Sequence, residues 1–470
     1  MKFKYLLITV LTVGLFASCS EEDLDPTLAQ SKSIETSINT TNDLEAVLNG
    51  AYDRMSASAY YGRDVVVLGD IFSDNVYSNA NSNRFVVEGQ MDLNSESGIV
   101  ETLWAQMYGV IASANIVINA ENIEGDQEVL DHLKGQAYAL RALAHFDLVT
   151  FYGQQNVQGG SESSVGVPYV MTFRDNENLF PARNTAGEVK QFAYDDLDMA
   201  SSLMSESLND NAVFITTYAA DALKARVAAY FGDWPTALTA SKAVIDSGAF
   251  DVATEDEFLS TFALAGGVNT IFEIAFTAID NPGINGLANI YQDTNYGDVV
   301  VLPNLAAIYG EDDVRGVQDV AEDGTVTDPG VIQVDAAGLF RNIGKYPSIA
   351  PYDDNVPVIR YEEIVLIYAE ALLETGGADA LTWLNMIPMN RGAELYTEAT
   401  KDNILLERRK ELAFEGFRFH DLARTGKDIP TPDPVQQTHG GPMYGDYNFA
   451  LPVPFAEVDS NANIDQNFGY

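Results

Sequence analysis

Residues 359–427 read IRYEEIVLIYAEALLETGGADALTWLNMIPMNRGAELYTEATKDNILLERRKELAFEGFRFHDLARTGK. In the first half, Ile364, Ile367, Tyr368, Ala371 and Leu372 fall at the i, i+3, i+4, i+7, i+8 spacing of a helix with one apolar face. Gly376-Gly377 ends that helix, and residues 378–386 read as a short return helix, so the pair forms a helical hairpin. The second half places Glu407, Arg408, Arg409, Glu411, Glu415, Arg418, Asp421 and Arg424 between Leu405, Leu412, Phe414, Phe417, Phe419 and Leu422. A solvent-facing helix sorts its charges to one side; interleaving predicts partly buried arginine–carboxylate pairs of bidentate geometry. Paired carboxylates could instead be the acid and base of a glycosidase. An arginine within a turn or so of each acid works against that, because it lowers a carboxyl pKa, the wrong direction for a general acid. Glu407, Arg408, Glu411, Glu415, Arg418, Asp421 and Arg424 are therefore read as a structural ion network.

The whole chain has 470 residues, 46% of them hydrophobic, which is enough for a large core in one or two domains. Its 69 acids against 26 bases give a formal charge of −43. Binding a nucleic-acid backbone needs clustered Lys and Arg, so that class is set aside. One cysteine, Cys19, leaves no intramolecular disulfide. It follows Lys2, Lys4, an apolar run over 5–16 and Ala17-Ser18, an export signal with small residues before its cleavage point. The run is too short for a comfortable membrane span. The junction resembles the bacterial lipoprotein box, in which Cys19 receives the lipid and becomes the first residue.

Beyond the acidic SEEDLD, Asn42 is read as an N-cap with Glu45 three residues on, opening a first helix. Residues 60–84 read as an irregular surface segment around the apolar run 65–68. Periodicity predicts helices over 100–120 and 133–152, a third from the cap Asn184/Thr185 to about Met204, and a hairpin over 217–247 turning at Gly232-Asp233. That hairpin and the one at 361–386 look like tetratricopeptide-type units. Residues 249–358 are the least helical, with a short strand over 269–276 and a Gly/Asn/Tyr loop over 281–301. Asp319 to Gly324 suggests a calcium loop, but Ala321 stands at a ligand position, so it is read as solvated loop.

R-Y-E-E-x-x-L-I-Y-A-E-A, E-R-R-x-E-L-A-F-E-G-x-R-x-x-D-L-A-R, the helical G-Q-A-Y-A-L-R-A-L-A-H-F-D-L-V-T-F-Y-G and the tail LPVPFAEVDSNANIDQNFGY together closely resemble the SusD/RagB family. Those are lipid-anchored, nutrient-binding outer-membrane proteins of Gram-negative bacteria. One departure is that Pro388-Met389 stand where the family shows an arginine-containing N-x-I-R-x-R run, although Arg391 is retained. The resemblance implies a mainly α fold, with tetratricopeptide-like hairpins as scaffold and an irregular, loop-rich lobe with minor β. The division expected is a signal peptide over 1–18, an acidic tether over 19–41 and one domain over 42–470, with ligand-binding segments at about 60–99, 153–184 and 249–358. It further implies an outer-membrane lipoprotein facing the cell exterior. This protein would capture an oligosaccharide or polysaccharide and close as a lid over a SusC-like TonB-dependent β-barrel transporter. A peptide-capturing relative of the RagB type is the alternative.

Motif by motif, catalysis finds no foothold. The sequence has no H-E-x-x-H, G-x-S-x-G or P-loop, and its four histidines (His132, His145, His420, His439) are scattered. No cofactor and no metal is expected. Sugar binding needs aromatic faces for the pyranose C–H side and Asn, Asp and Arg for hydroxyls. Residues 60–84 and 291–296 have that composition, which makes Tyr60, Tyr61, Asp74, Tyr77, Asn81, Arg84, Tyr291, Asn295 and Tyr296 the candidates. Trp104, Trp234 and Trp383 lie in helical stretches and are read as packing residues.

Overall fold

A computed structural model describes residues 38–470 apart from 176 and 322. The signal segment, Cys19 and the tether up to residue 37 lie outside the described residues. The longer helices are α1 (Thr41–Ser56), α2 (Asp64–Ile71), α3 (Gly98–Ile118), α4 (Gln127–Tyr152), α5 (Ala186–Leu203), α6 (Thr217–Tyr230), α7 (Trp234–Ser247), α8 (Tyr361–Thr375), α9 (Ala380–Met389), α10 (Lys401–Glu411) and α11 (Arg418–Arg424). From α3 to α9 each helix packs on the next, so antiparallel neighbours stack into a tetratricopeptide-like scaffold. Small faces allow the close approach: Ala219, Ala222, Ala225 and Ala229 of α6 are buried against neighbours. Turn chemistry sets the breaks. Thr185 caps α5 reciprocally with Glu188, and Gly376, at φ 71°, closes α8 in the left-handed conformation that glycine adopts without strain.

Three sequence expectations are corrected. The cap of α1 is Thr40, whose hydroxyl accepts from the Asp43 amide while the Asp43 carboxylate accepts from the Thr40 amide. This reciprocal pair lies two residues before Asn42/Glu45. Within the supposed surface segment 60–84, α2 is a helix whose eight residues are all buried. DVVVLGDI carries no polar face because none of its faces meets water, and its end carboxylates are satisfied internally: Asp64 by Arg63 at 2.6 Å, Asp70 by Asn75 at 3.1 Å and Tyr291 at 3.0 Å. Gly69 admits the backbone of Gly416, since a Cβ there would stand 1.9 Å from the Gly416 carbonyl oxygen. Finally, the loop 281–301 contains a one-turn helix, Leu287–Tyr291, and ends in a strand.

The minor β structure is what brings distant loops together. Strands β1 (Val76–Ser78), β3 (Val299–Val301), β7 (Phe340–Asn342) and β6 (Ile332–Val334) form one antiparallel sheet in the order β1-β3-β7-β6. A separate pair joins β2 (Thr270–Ile274) to β8 (Val356–Arg360), both buried throughout, and delivers the chain into α8. The exposed pair β4 (Asp319–Val320) and β5 (Val326–Asp328) occupies the acidic loop. No described helix is long and apolar enough to cross a membrane.

Candidate functional site

Antiparallel pairing of Ser78 with Val299 means that the chain leaving β1 and the chain entering β3 emerge side by side. The loops 79–85 and 281–298, some two hundred residues apart in sequence, therefore build one rim. Asn81 Nδ2 donates to the carbonyls of Thr294 (3.2 Å) and Asn295 (3.1 Å). Asp298, fully buried, accepts from the Ser82 amide (2.7 Å) and the Ser82 hydroxyl (2.5 Å). Arg84 lays its guanidinium 3.9 Å from the centre of the Tyr296 ring and donates to Asn285 Oδ1 at 3.0 Å. Asn81 and Asn295 are exposed; Arg84 and Tyr296 are half-buried. These four of the nine candidates are brought together. The Asn81 Oδ1 and the Asp293 carboxylate can accept from hydroxyls, the Asn295 amide can donate and accept, and one face of Tyr296 is already covered by Arg84.

The other five candidates are not on a surface. Tyr60 and Tyr61 donate to the buried Asp147 at 2.7 and 3.0 Å, Tyr291 donates to Asp70 at 3.0 Å, and Tyr77 packs in a small apolar cluster with Val300 and Leu302. Asp74 is held by Arg418 at 2.7 Å and Arg409 at 3.1 Å. Each is at most 6% exposed, so none can present a ring face or carboxylate to a sugar. Burial pushes Asp147 and Asp70 up to about 6, the donors around them offsetting only part of that cost. A buried tyrosine must satisfy its hydroxyl, and these remote aspartates do so. Behind Tyr61, a cavity of ≈ 70 Å³ is lined by Phe146, Asp147, Arg226, Phe417 and His420.

The ion network has its centre at Glu411. Arg360 (2.8 Å), Arg391 (3.0 Å) and Arg315 (3.1 Å) all reach this fully buried carboxylate. Arg315 also grips Asp313 bidentately at 2.8 Å and Glu407 at 2.6 Å; Arg360 grips Glu415 bidentately at 2.8 Å and Glu362 at 3.0 Å. Arg391 reaches Glu362 at 2.8 Å, and Lys345 reaches Glu415 at 2.5 Å. Burial alone would raise Glu411, but the three guanidinium groups outweigh it and hold the carboxyl well below its usual range. A second set links Arg408 to Asp421, Asp421 to Arg424, and Arg424 bidentately to Glu370. Burial opposes ionisation of Asp421 too, yet Arg408 and Arg424 bring it down to about 2. With every one of these acids paired to a cation, and Glu411, Glu415, Asp421 and Glu370 held low by those cations, the network is built for packing and is wrong for proton transfer.

Local arginines were the expected partners of Glu407, Glu411 and Glu415, and this is corrected: they come from elsewhere in the chain. Sequence reasoning missed Arg315, Lys345, Arg360 and Glu362 as members. The Asp313-x-Arg315 spacing is the one local signal for them. Arg391, beside the departure at Pro388-Met389, is fully buried at the heart of the network, while Met389 is exposed. Among the described residues no group of three or more His, Cys, Asp or Glu could hold a metal ion.

Comparisons with known proteins agree along most of the chain. Residues 24–229 match a family model described as starch-binding, associating with the outer membrane, and residues 344–470 match one described as the SusD family. SusD-like protein P2 of Formosa agariphila is 26% identical over 99% of each chain. A solved SusD superfamily protein of Bacteroides vulgatus is 27% identical, with a TM-score of 0.82 over 92% of this chain and all of that one. Surface glycan-binding protein A of Bacteroides fluxus, 21% identical, shares the fold at a TM-score of 0.73, covering 92% of this chain and 100% of its own.

Proposed function

This chain belongs to the SusD/RagB family, and on that premise we propose that it captures an oligosaccharide or polysaccharide at the outer-membrane surface and passes it to a SusC-like TonB-dependent β-barrel. Anchored through lipidated Cys19, it swings as a lid over the barrel and shuts when ligand is held. Glycan capture for uptake is the role that its relatives support. The observation that carries the reading for this chain is the meeting of loops 79–85 and 281–298, where Asn81, Arg84, Asn295 and Tyr296 converge. Arg418 and Arg409 tie α10 and α11, which carry much of the ion network, to Asp74 just before β1.

The test is affinity electrophoresis through gels containing single polysaccharides, followed by Asn81→Ala and Tyr296→Ala on whichever polymer retards the protein. Each contact contributes about 1 kcal/mol, so retardation constants should fall about fivefold per variant with unchanged melting. Full retention in both variants moves the site to other loops. Retention by a peptide library and by no glycan favours the RagB-like alternative.

A further inference from the structure

We infer that the cargo is an uncharged glycan and that polyuronates and sulfated polysaccharides are excluded. This rests on the glycan-capture reading above and names the substrate class it takes.

Almost every cation near the rim is already committed to a carboxylate. Residues 249–358 contain eighteen acids and three cations, Arg315, Arg341 and Lys345. All three cations are at most 5% exposed and each is committed: Arg315 to Asp313, Glu407 and Glu411, Arg341 to Asp335 at 2.9 Å, Lys345 to Glu415. Residues 60–99 add six acids and two cations. Arg63 pairs with Asp64, which leaves Arg84, among the described residues of these two segments, as the cation without a carboxylate partner.

Arg84 cannot serve as an anion receptor. Recognition of a carboxylate or sulfate uses the open fork of a guanidinium, two parallel N–H donors facing outward. Here one face lies on Tyr296, Nη2 is spent on Asn285, and Nη1 has neither a partner nor accessible surface. On the same two segments, Asp280, Asp293, Asp353, Asp92 and Glu96 are exposed. A polymer carrying a charge on every residue is repelled by such acids wherever it comes within the screening length of about 10 Å at 0.1 M salt. Sugar hydroxyls suffer no such conflict. They donate to carboxylates and to Asn81 Oδ1, and exchange hydrogen bonds with the Asn295 amide.

The experiment uses the mature lipid-free chain over immobilised glycans, with chelator present so that no divalent ion bridges acid to acid. Uncharged probes are amylopectin, galactomannan and a β-1,3-glucan; anionic probes are alginate, polygalacturonate and carrageenan. Interferometry is run at about 20 and about 300 mM NaCl, bracketing weak and strong screening. The expected result is binding to an uncharged probe with a Kd that changes less than about twofold between the two salts, and every anionic probe at least about tenfold weaker at low salt. A uronate or sulfated probe bound as tightly as the best uncharged one overturns the inference and leaves glycan capture standing. Folded protein that binds no glycan of either set fails both.

Discussion

The buried network has five carboxylates (Asp313, Glu362, Glu407, Glu411, Glu415) facing four cations (Arg315, Lys345, Arg360, Arg391). That one-charge excess predicts an asymmetry that pair counting would miss. Arg391→Met leaves three cations against five acids and strips Glu411 and Glu362 of a partner each. Glu411→Gln leaves four against four, and every guanidinium keeps a carboxylate. Removing one partner of a buried pair costs about 3–5 kcal/mol, and the arginine variant belongs at the upper end. The glutamine variant loses charge assistance from hydrogen bonds that largely persist, about 2 kcal/mol. Unfolding entropy of about 2.1 cal/mol/K per residue over a chain this size converts these to melting shifts of about 5 °C and about 2 °C. Differential scanning calorimetry at pH 7, with all variants at one scan rate, measures both. A drop for Glu411→Gln equal to or larger than that for Arg391→Met would refute the charge accounting, and two unshifted variants would refute the network's structural role.

Further predictions concern acid, anchoring, packing and partner. His145 accepts from the Val170 amide, and burial together with the nearby Arg141 charge drives it down to about 3; burial takes His420 to about 4. Folded values below the unfolded one mean that their stability is complete above about pH 6.5 and lost as pH falls, about 2 kcal/mol each by pH 5. Asp70 and Asp147, raised by burial, regain about 1.4 kcal/mol each over the same range, so the melting temperature should stay nearly level from pH 7 to 5. Below about pH 4.5 it should fall steeply as the depressed carboxyls Glu411, Glu415 and Asp421 take up protons, and a decline that is already steep from pH 6.5 would contradict this. Cys19→Ser should release the protein from membranes washed with alkali, and retention equal to wild type defeats the lipid anchor. Gly69→Ala should destabilise by at least about 2 kcal/mol, because backbone and not a movable side chain fills the space; unchanged melting would mean α2 can shift. A tagged chain purified from membranes in mild detergent should bring a transporter-sized barrel, and repeated recovery alone, with no cross-link in intact cells, removes the lid.

The scaffold was legible because amphipathic period and turn residues are local. Leu103, Trp104, Met107 and Ile111 mark the buried face of α3, and Thr185 with Glu188 announces α5. α2 was not, because a helix buried on every side has no polar phase to read. The rim was half legible. Tyr, Asn, Asp and Arg look the same in sequence whether they face water or satisfy one another. What separates Tyr60 from Tyr296 is an aspartate at position 147 that only the fold brings within reach of the first. The ion network was foreseen in kind and missed in pairing, since Arg315, Arg360 and Arg391 reach Glu411 through contacts 20 to 96 positions away in the chain.

The most direct test of the account is a crystal structure of the mature chain soaked with the oligosaccharide that binds best in solution. Sugar density is expected against loops 79–85 and 281–298, with ring hydroxyls within hydrogen-bond distance of Asn81 or Asn295 and of Asp293. Ordered sugar seated elsewhere, with that rim occupied by water alone, would contradict it.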